Sequence, residues 1–138
     1  RVHPERFMRN YRALFTAIGS GLAASAHGIY RGGLGVHLAM VAMGGNLGLS
    51  VDTANVPSNA PLRPDRLLFS ETPGRFIVTV SPANAPAFEA LFDSGQCACI
   101  GEVSEAPVLQ VAHGPRVLLQ APLSELKTAW KTPFGGLV

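Results

Sequence analysis

A run of twenty residues without a charged side chain, from Gly32 to Val51, constrains the fold of this chain more than any other feature. Its length matches the ~20 residues that cross a membrane as a helix. However, it contains six glycines, and the tripeptide Gly-Gly-Asn at 44–46 divides it. Glycine and asparagine adopt the left-handed conformation that ends helices. The run therefore predicts a buried helix, about residues 34–43, followed by a strand, and it does not predict a membrane span.

Composition favours a single folded domain over residues 1–138 and excludes two classes of protein. Apolar residues make up 47% and charged residues 14% of the chain, which is the reverse of the balance in disordered chains. The net charge is +2 and the arginines form no dense run, so nothing indicates a surface for nucleic acid. The chain opens on Arg1 without a signal segment. We expect a cytoplasmic domain cut from a longer protein.

The two cysteines, Cys97 and Cys99, form a C-x-C pair on a predicted strand. Alternate residues of a strand point the same way, so both thiols are expected on one face. A single pair without further ligands is a poor zinc site, and two cysteines do not make a disulfide scaffold. We expect reduced thiols and no bound metal.

Hydrophobic periodicity predicts helices and short strands throughout the chain. Apolar residues from Phe7 to Leu22 recur at the spacing of one helical face, and Pro4 suits the first turn of that helix. Further helices are predicted at about 34–43, 82–92 and 122–131, and strands at 25–30, 47–51, 75–80, 98–103, 107–112 and 116–119. Short connections among the last three strands predict antiparallel neighbours. The sum is an α+β fold, with a single mixed, largely antiparallel sheet and helices packed mainly on one face.

The best local candidate for a binding site is the turn that joins the strand at 25–30 to the buried helix. Gly32 and Gly33 precede the helix, where free N–H groups and the positive end of the helix dipole suit a phosphate or carboxylate. Arg31 adds a guanidinium with several donors, and His27 adds a further donor. The alternative is that the two glycines only allow the helix to pack closely against its strand.

A second candidate is the turn at 70–75, in which Ser70, Glu71 and Arg75 would support the first site. Glu71 and Arg75 stand at opposite ends of this turn, so the alternative is a structural ion pair between them. His37, on the apolar helix, is expected to be a core histidine. The sequence holds no close pair of carboxylates for acid–base work and no nucleophile or nucleotide-binding motif. No catalytic residue is therefore predicted.

Four segments together resemble a known domain: 25–34, 68–80, 100–103 and 123–130. They are similar to the C-terminal domain of phosphoribosylformylglycinamidine synthase, a ligase of purine biosynthesis. The order Phe-Ser-Glu at 69–71 followed by Gly-Arg-Phe at 74–76 is typical of this synthase. Aminoimidazole ribonucleotide synthetase and selenophosphate synthetase share the same type of domain. The resemblance covers nearly the whole chain from Arg12 onward.

The resemblance implies a part of an ATP-dependent ligase. The full enzyme converts formylglycinamide ribonucleotide, ATP and glutamine to formylglycinamidine ribonucleotide, ADP, phosphate and glutamate. ATP and magnesium bind mostly to its N-terminal nucleotide-binding domain, and ammonia comes from a glutaminase domain or subunit. The C-terminal domain closes the active-site or auxiliary nucleotide cleft, and alone it is expected to be inactive, to hold no cofactor and to self-associate through an exposed apolar face. The alternative is a non-catalytic binding or assembly module of the same fold.

The turn departs from the family's pattern at two positions. The family reads His-Asp-x-Ser-x-Gly-Gly, whereas this chain has Gly28 in place of Asp and Tyr30 in place of Ser. Arg31 stands at a variable position of this pattern, and Gly32 and Gly33 keep the backbone N–H groups that are expected to meet a phosphate. Two side chains suited to phosphate or metal are nevertheless missing here.

Overall fold

The computed structural model describes residues 3–132, which form helices and mostly antiparallel strands and confirm the predicted α+β class. In chain order the elements are α1 (Pro4–Gly19), β1 (Ser25–Ile29), α2 (Gly33–Gly45), β2 (Gly48–Asp52), a 3-10 turn (Thr53–Asn55), α3 (Pro64–Phe69), β3 (Arg75–Thr79), α4 (Ala85–Glu89), β4 (Gly101–Ser104), β5 (Val108–His113), β6 (Arg116–Pro122) and α5 (Leu123–Lys131). The described chain falls into two compact units. The first contains residues up to 37 and residues 56–99, and the second contains residues 38–55 and those from 100 onward.

In the first unit, β1 and β3 form an antiparallel pair in continuous register. Ser25 lies opposite Thr79, with their hydroxyl oxygens 2.6 Å apart, and Ile29 lies opposite Arg75. The core of this unit consists of buried Leu14, Ala17 and Phe88, against which Leu22, Phe76, Val78, Val80, Phe92 and Cys97 pack. Alternate residues of a strand share a face, so β3 contributes its even-numbered side chains to this core.

In the second unit, four strands form a mixed sheet in the order β4-β2-β5-β6. The central strands β2 and β5 run parallel, and the two outer pairs are antiparallel. Leu109 and Val111 of β5 are buried, whereas the residues between and beside them are half-buried. This alternation is typical of a strand with one face on the core, and Leu123 at the start of α5 is also buried.

The described residues form two sheets rather than the one predicted. Among the last three strands, β5 and β6 are antiparallel neighbours as predicted, whereas β4 and β5 are not neighbours, because β2 lies between them. The connection from β4 to β5 crosses the start of β2 at Gly48. A Cβ atom at that position would collide with the carbonyl oxygen of Ala106 and lie 2.7 Å from that of Val108. Since glycine allows another backbone to approach closely, a short connection here joins strands that are not adjacent.

Helix α1 buries only part of the apolar stripe that periodicity assigns to one face. Leu14 and Ala17 are buried, whereas Tyr11, Phe15 and Ile18 are exposed, Phe15 at 73%. Helical periodicity identifies an apolar face, but it does not show how much of that face a neighbouring element covers. The remaining stripe lies on the surface of the first unit.

Two predicted elements are shorter or absent. The helix predicted at 82–92 is reduced to α4, because inside a longer helix Pro86 would lack its hydrogen bond and clash with the carbonyl four residues earlier. Pro86 instead stands in the first turn, and Asn84 occupies the N-cap position. The segment 97–100 is not a strand, so Cys97 and Cys99 lie on irregular chain before β4. Cys97 joins the core, and burial raises its pKa.

Candidate functional site

The turn between β1 and α2 is built on two glycines in the left-handed region. Gly32 has φ +91° and Gly33 has φ +72°, values that other residues rarely adopt. A Cβ atom on Gly33 would lie 2.6 Å from the carbonyl oxygen of Leu68 and 2.8 Å from backbone atoms of Phe69. The start of α2 thus packs directly on the last turn of α3. This close packing requires glycine, as the alternative interpretation of the two glycines predicted. However, α2 packs here against the helix α3 and not against its own strand.

The expectation that Gly32 and Gly33 offer free N–H groups is wrong. The Gly32 N–H donates to Oε1 of Glu71 at 2.8 Å, and the Gly33 N–H donates to the carbonyl oxygen of Tyr30 at 3.1 Å. The partial positive charge at a helix N-terminus stabilises an acidic side chain. The carboxylate of Glu71 therefore takes the place that an external anion was expected to fill.

The turn at 70–75 is held together differently from the prediction. Within residues 3–132, Glu71 and Arg75 do not form the predicted ion pair. Arg75 donates from Nε to the carbonyl oxygen of Thr72 at 3.1 Å and from Nη2 to that of Ser70, and burial lowers its pKa. These contacts tie the loop after α3 to the start of β3, so that Glu71 is held within reach of Gly32.

A pair of histidines lies beside the turn. Nε2 of His27 is 2.8 Å from Nδ1 of His37, and the ring centroids are 5.0 Å apart. His37 is 5% exposed, as expected for a core histidine. Its Nε2 lies 2.9 Å from the backbone nitrogen of Tyr30 and 3.2 Å from the carbonyl oxygen of Arg31. The sequence did not predict the pairing, because the two residues are ten positions apart on a strand and a helix, and no local pattern marks them as neighbours.

Gly28 and Tyr30, the two departures from the family's pattern, fit together sterically. The ring of Tyr30 covers Gly28: a Cβ atom there would lie 2.5 Å from Cζ and 2.7 Å from Cε2 of that ring. An aspartate at position 28 would therefore displace the ring. The same ring meets the imidazole of His37 edge-on, with centroids 5.8 Å apart.

Besides the hydroxyl of the exposed Tyr30, two side chains with nitrogen donors remain open at the turn. The guanidinium of Arg31 is exposed and makes no hydrogen bond or ion pair among the described residues. Nδ1 of His27 likewise has no hydrogen-bond partner in that part of the chain, and it is not buried. The structure thus brings the predicted residues together in one place, with two side chains accessible and both glycine N–H groups already bonded.

The rest of the described chain offers weaker candidates. No group of three His, Cys, Asp or Glu side chains within residues 3–132 could hold a metal ion. In the same range, no helix has the length and apolar character needed to cross a membrane. One open groove of about 300 Å³ lies beside Arg12 and Phe92, and another of about 420 Å³ lies beside Met43 and Trp130. The turn between β1 and α2 therefore remains the candidate site.

Comparison with known proteins shows the family. Residues 1–114 match the family described as AIR synthase related protein, C-terminal domain. The chain belongs to this family, which confirms the resemblance that the turn and the segment 68–80 carry.

Curated relatives called phosphoribosylformylglycinamidine synthase subunit PurL match most of the chain. The protein of Thermococcus sibiricus is 33% identical over 132 residues, which are 96% of this chain and 18% of that protein. The protein of Deinococcus radiodurans is 41% identical over 123 residues, which are 88% of this chain and 16% of that protein. The chain therefore spans less than a fifth of these relatives.

Solved structures of PurL from Thermotoga maritima share the fold. One, in complex with FGAR, is 25% identical with a TM-score of 0.82, over 91% of this chain and 21% of that chain. Another, in complex with ATP, is 26% identical with a TM-score of 0.77, over 86% of this chain and 21% of that chain. The fold is therefore that of one part of a PurL protein.

Proposed function

We propose that residues 1–138 serve as one domain of an ATP-dependent ligase of the phosphoribosylformylglycinamidine synthase type. That enzyme makes formylglycinamidine ribonucleotide, ADP, phosphate and glutamate from formylglycinamide ribonucleotide, ATP and glutamine. The observation that carries the proposal is the match of 96% of this chain, at 33% identity, to a PurL protein. The TM-score of 0.82 to a PurL structure in complex with FGAR supports the same substrate.

The proposed role of the domain is to present the turn between β1 and α2 to the phosphate of the ribonucleotide. An arginine guanidinium recognises phosphate oxygens through a planar set of donors, and an imidazole N–H adds one more. Arg31 and His27 are the two side chains of the turn with open nitrogen donors. We infer that these two side chains, rather than the glycine N–H groups, meet the ligand.

Glu71 weakens such a site in the isolated chain. Its carboxylate holds the Gly32 N–H and repels a phosphate brought to the same place. The ligand must either displace Glu71 or bind on the Arg31 side of the turn. We therefore expect the isolated domain to bind the phosphate weakly, and to bind it more strongly once the other domains contribute. This fits a domain that only closes a cleft.

ATP and magnesium are proposed, as the resemblance implies, to bind mostly outside this domain. The proposed partners are the N-terminal nucleotide-binding domain of the same enzyme and a glutaminase domain or subunit, in the cytoplasm. A relative from Thermotoga maritima has been solved as PurLQS, which supports an assembly of this kind.

The alternative is a non-catalytic assembly module, and one observation favours it. Met8, Tyr11, Phe15 and Ile18 are exposed along α1. Contiguous apolar surface of this kind marks interaction sites. This function needs the exposed stripe of α1 and does not need the turn, so experiments on the turn separate the two possibilities.

The main test is a chimera in which this chain replaces the matching part of Thermotoga maritima PurL. We expect the chimera to form formylglycinamidine ribonucleotide from FGAR, ATP and ammonia, and the isolated chain to show no turnover. Arg31→Ala should raise the KM for FGAR roughly tenfold or more, the size expected when a hydrogen bond to a charged group is lost. Arg12→Ala, an exposed arginine on α1, is the matched control.

A folded chimera that binds ATP but does not turn over would favour the assembly module. An unchanged KM in the Arg31→Ala chimera would refute the role of the turn while leaving the ligase function intact.

Inorganic phosphate tests the turn in the isolated chain. We expect the Gly32 amide signal to move on titration only in Glu71→Ala, where the N–H is released. Glu71→Gln is the matched control, because its amide oxygen still accepts that N–H. If the Gly32 signal stays still in every variant while other signals move, close packing is the whole reason for the two glycines.

A further inference from the structure

The histidine pair beside the turn has only one consistent arrangement of protons when both rings are neutral. The Tyr30 N–H can only donate, so Nε2 of His37, 2.9 Å away, accepts it and carries no hydrogen. The proton of His37 therefore stands on Nδ1, where it donates to Nε2 of His27 at 2.8 Å. His27 consequently carries its own proton on Nδ1, the open nitrogen that faces a ligand in the proposed function.

One added proton reverses the donors in this arrangement. Protonated His27 has hydrogen on both nitrogens, so its Nε2–H donates to Nδ1 of His37, and the proton of His37 then stands on Nε2. There it points at the carbonyl oxygen of Arg31, 3.2 Å away, and the Tyr30 N–H loses its acceptor. The pair holds two ring protons before and three after, the third taken from water. The hydrogen-bond partner of His37 Nε2 thus changes from the Tyr30 N–H to the carbonyl oxygen of Arg31.

The exchange of donors involves the two histidines and not the charged groups around them. Four charged or titratable groups flank the pair: Tyr30 and Arg31 on the turn, Glu71 after α3 and Arg75 on β3. Glu71 and Arg75 are both engaged with backbone groups of their surroundings. Across the strand pair His27 faces the apolar Ile77.

Burial, and secondly the charge that His37 would carry, lower the pKa of His27 below its ordinary value of 6.5. His27 is therefore neutral near pH 7, and the hydrogen bond that the Tyr30 N–H donates to Nε2 of His37 requires that nitrogen to carry no hydrogen. Mild acid is needed to reach the protonated arrangement.

We propose that His37 is a positioning residue, which holds His27 as an Nδ1–H donor and couples the proton state of the pair to the backbone of Tyr30 and Arg31. The proposal deepens the proposed function and rests on it for its purpose, since there His27 and Arg31 meet the phosphate. Near neutral pH the ligand meets a fixed donor and one conformation of the turn. In mild acid the turn exchanges one hydrogen bond for another.

Nitrogen-15 spectra of the histidine rings test the arrangement without any ligand. Near neutral pH we expect both His27 and His37 to carry hydrogen on Nδ1 and none on Nε2. On titration into mild acid, the His27 ring and the Tyr30 amide should change with one shared midpoint. His113, whose Nδ1 lies 3.0 Å from the hydroxyl of Thr53, provides a ring outside this network for reference.

His37→Phe removes both polar contacts of the ring. The Tyr30 amide should then no longer follow the His27 titration, and the His27 midpoint should rise toward its ordinary value. His37→Gln, which retains an acceptor and a donor, provides a second variant if the first does not fold. Tyr30→Phe is the matched control, because it keeps the backbone N–H and the ring edge and should leave the ring protons and the shared midpoint unchanged.

Hydrogen on Nε2 of His27 at neutral pH, or separate midpoints for His27 and the Tyr30 amide, would overturn the proposal. Phosphate titration then distinguishes it from the proposed function. If phosphate binds, its affinity should fall roughly threefold to tenfold in His37→Phe, about the effect of one lost hydrogen bond. If the ring protons are as expected but phosphate binds at the turn in neither wild type nor Glu71→Ala, the proposed function of the turn fails and the proton coupling stands.

Discussion

The phenol ring of Tyr30 lies against the α-carbon of Gly28, two residues earlier in the chain. Because position 28 has no side chain, the ring can rest on the backbone and meet His37 edge-on, with centroids 5.8 Å apart. Tyr30 is nevertheless 68% exposed, so its ring can swing into solvent. A side chain at position 28 is thus incompatible with the ring at position 30 only while that ring rests on the backbone of residue 28.

Gly28→Ala should displace the ring of Tyr30 and lower the free energy of unfolding by no more than about 1 kcal/mol, because an exposed ring can relieve the overpacking. In a Tyr30→Ser background the same change should be neutral or slightly stabilising, since alanine restricts the unfolded chain more than glycine does. Urea unfolding of wild type, the two single variants and the double variant should give a coupling free energy of roughly 0.5–1 kcal/mol between the two positions. Additive effects would show that the two positions are independent.

Gly33→Ala should lower the free energy of unfolding by about 3 kcal/mol, since a left-handed backbone costs roughly 1–2 kcal/mol without glycine and overpacking adds a similar amount. The added Cβ atom would meet backbone atoms of Leu68 and Phe69, which cannot turn aside. Gly21→Ala is the matched control, because Gly21 has φ +69° but no atom within 4 Å of its added Cβ. Equal losses in urea unfolding would show that α2 does not pack closely on α3.

Phe15→Ser should leave the free energy of unfolding within about 0.5 kcal/mol of wild type, as is usual for exposed positions. Leu14→Ala, one residue earlier but buried, should cost about 2–4 kcal/mol through the cavity it leaves. The exposed stripe of α1 is expected to cause self-association of the isolated chain, so Phe15→Ser should weaken it. Sedimentation at increasing concentration measures this, and a wild-type chain that stays monomeric would argue against the apolar stripe as an interaction surface.

The free energy of unfolding should decrease as the pH falls below about 6.5. The folded state lowers the pKa of His27 from 6.5, so in this window the unfolded chain binds the proton more readily and is favoured. Asp52 and Asp65 also have lowered pKa values, but from an ordinary value of 3.8, so their contribution is present at higher pH and is lost only in stronger acid.

Urea unfolding of wild type and His27→Gln across this pH range separates the contribution of His27 from that of the two aspartates. The variant should lose the decrease just below pH 6.5 and keep the one in stronger acid. An identical pH dependence in the two proteins would show that His27 does not carry the effect.

The sequence by itself determined the features that depend on neighbouring residues. Asn46 adopts φ +53° after α2, because the run at 44–46 carries the chemistry of a helix end. The glycines at 32 and 33 mark a left-handed turn, since few other residues accept that conformation. The class of fold and the position of the candidate site followed from such local signals, together with the resemblance to the family.

Only the tertiary structure decided which groups meet across the chain. Glu71 bonds to Gly32 from 39 residues away, and His27 bonds to His37 across ten. β2 separates β4 from β5, although a short connection predicted them as neighbours. The physical reason is that local preference fixes backbone conformation, whereas the choice of hydrogen-bond partner depends on which elements pack together. For that reason the predicted anion position is held by a carboxylate of the chain itself.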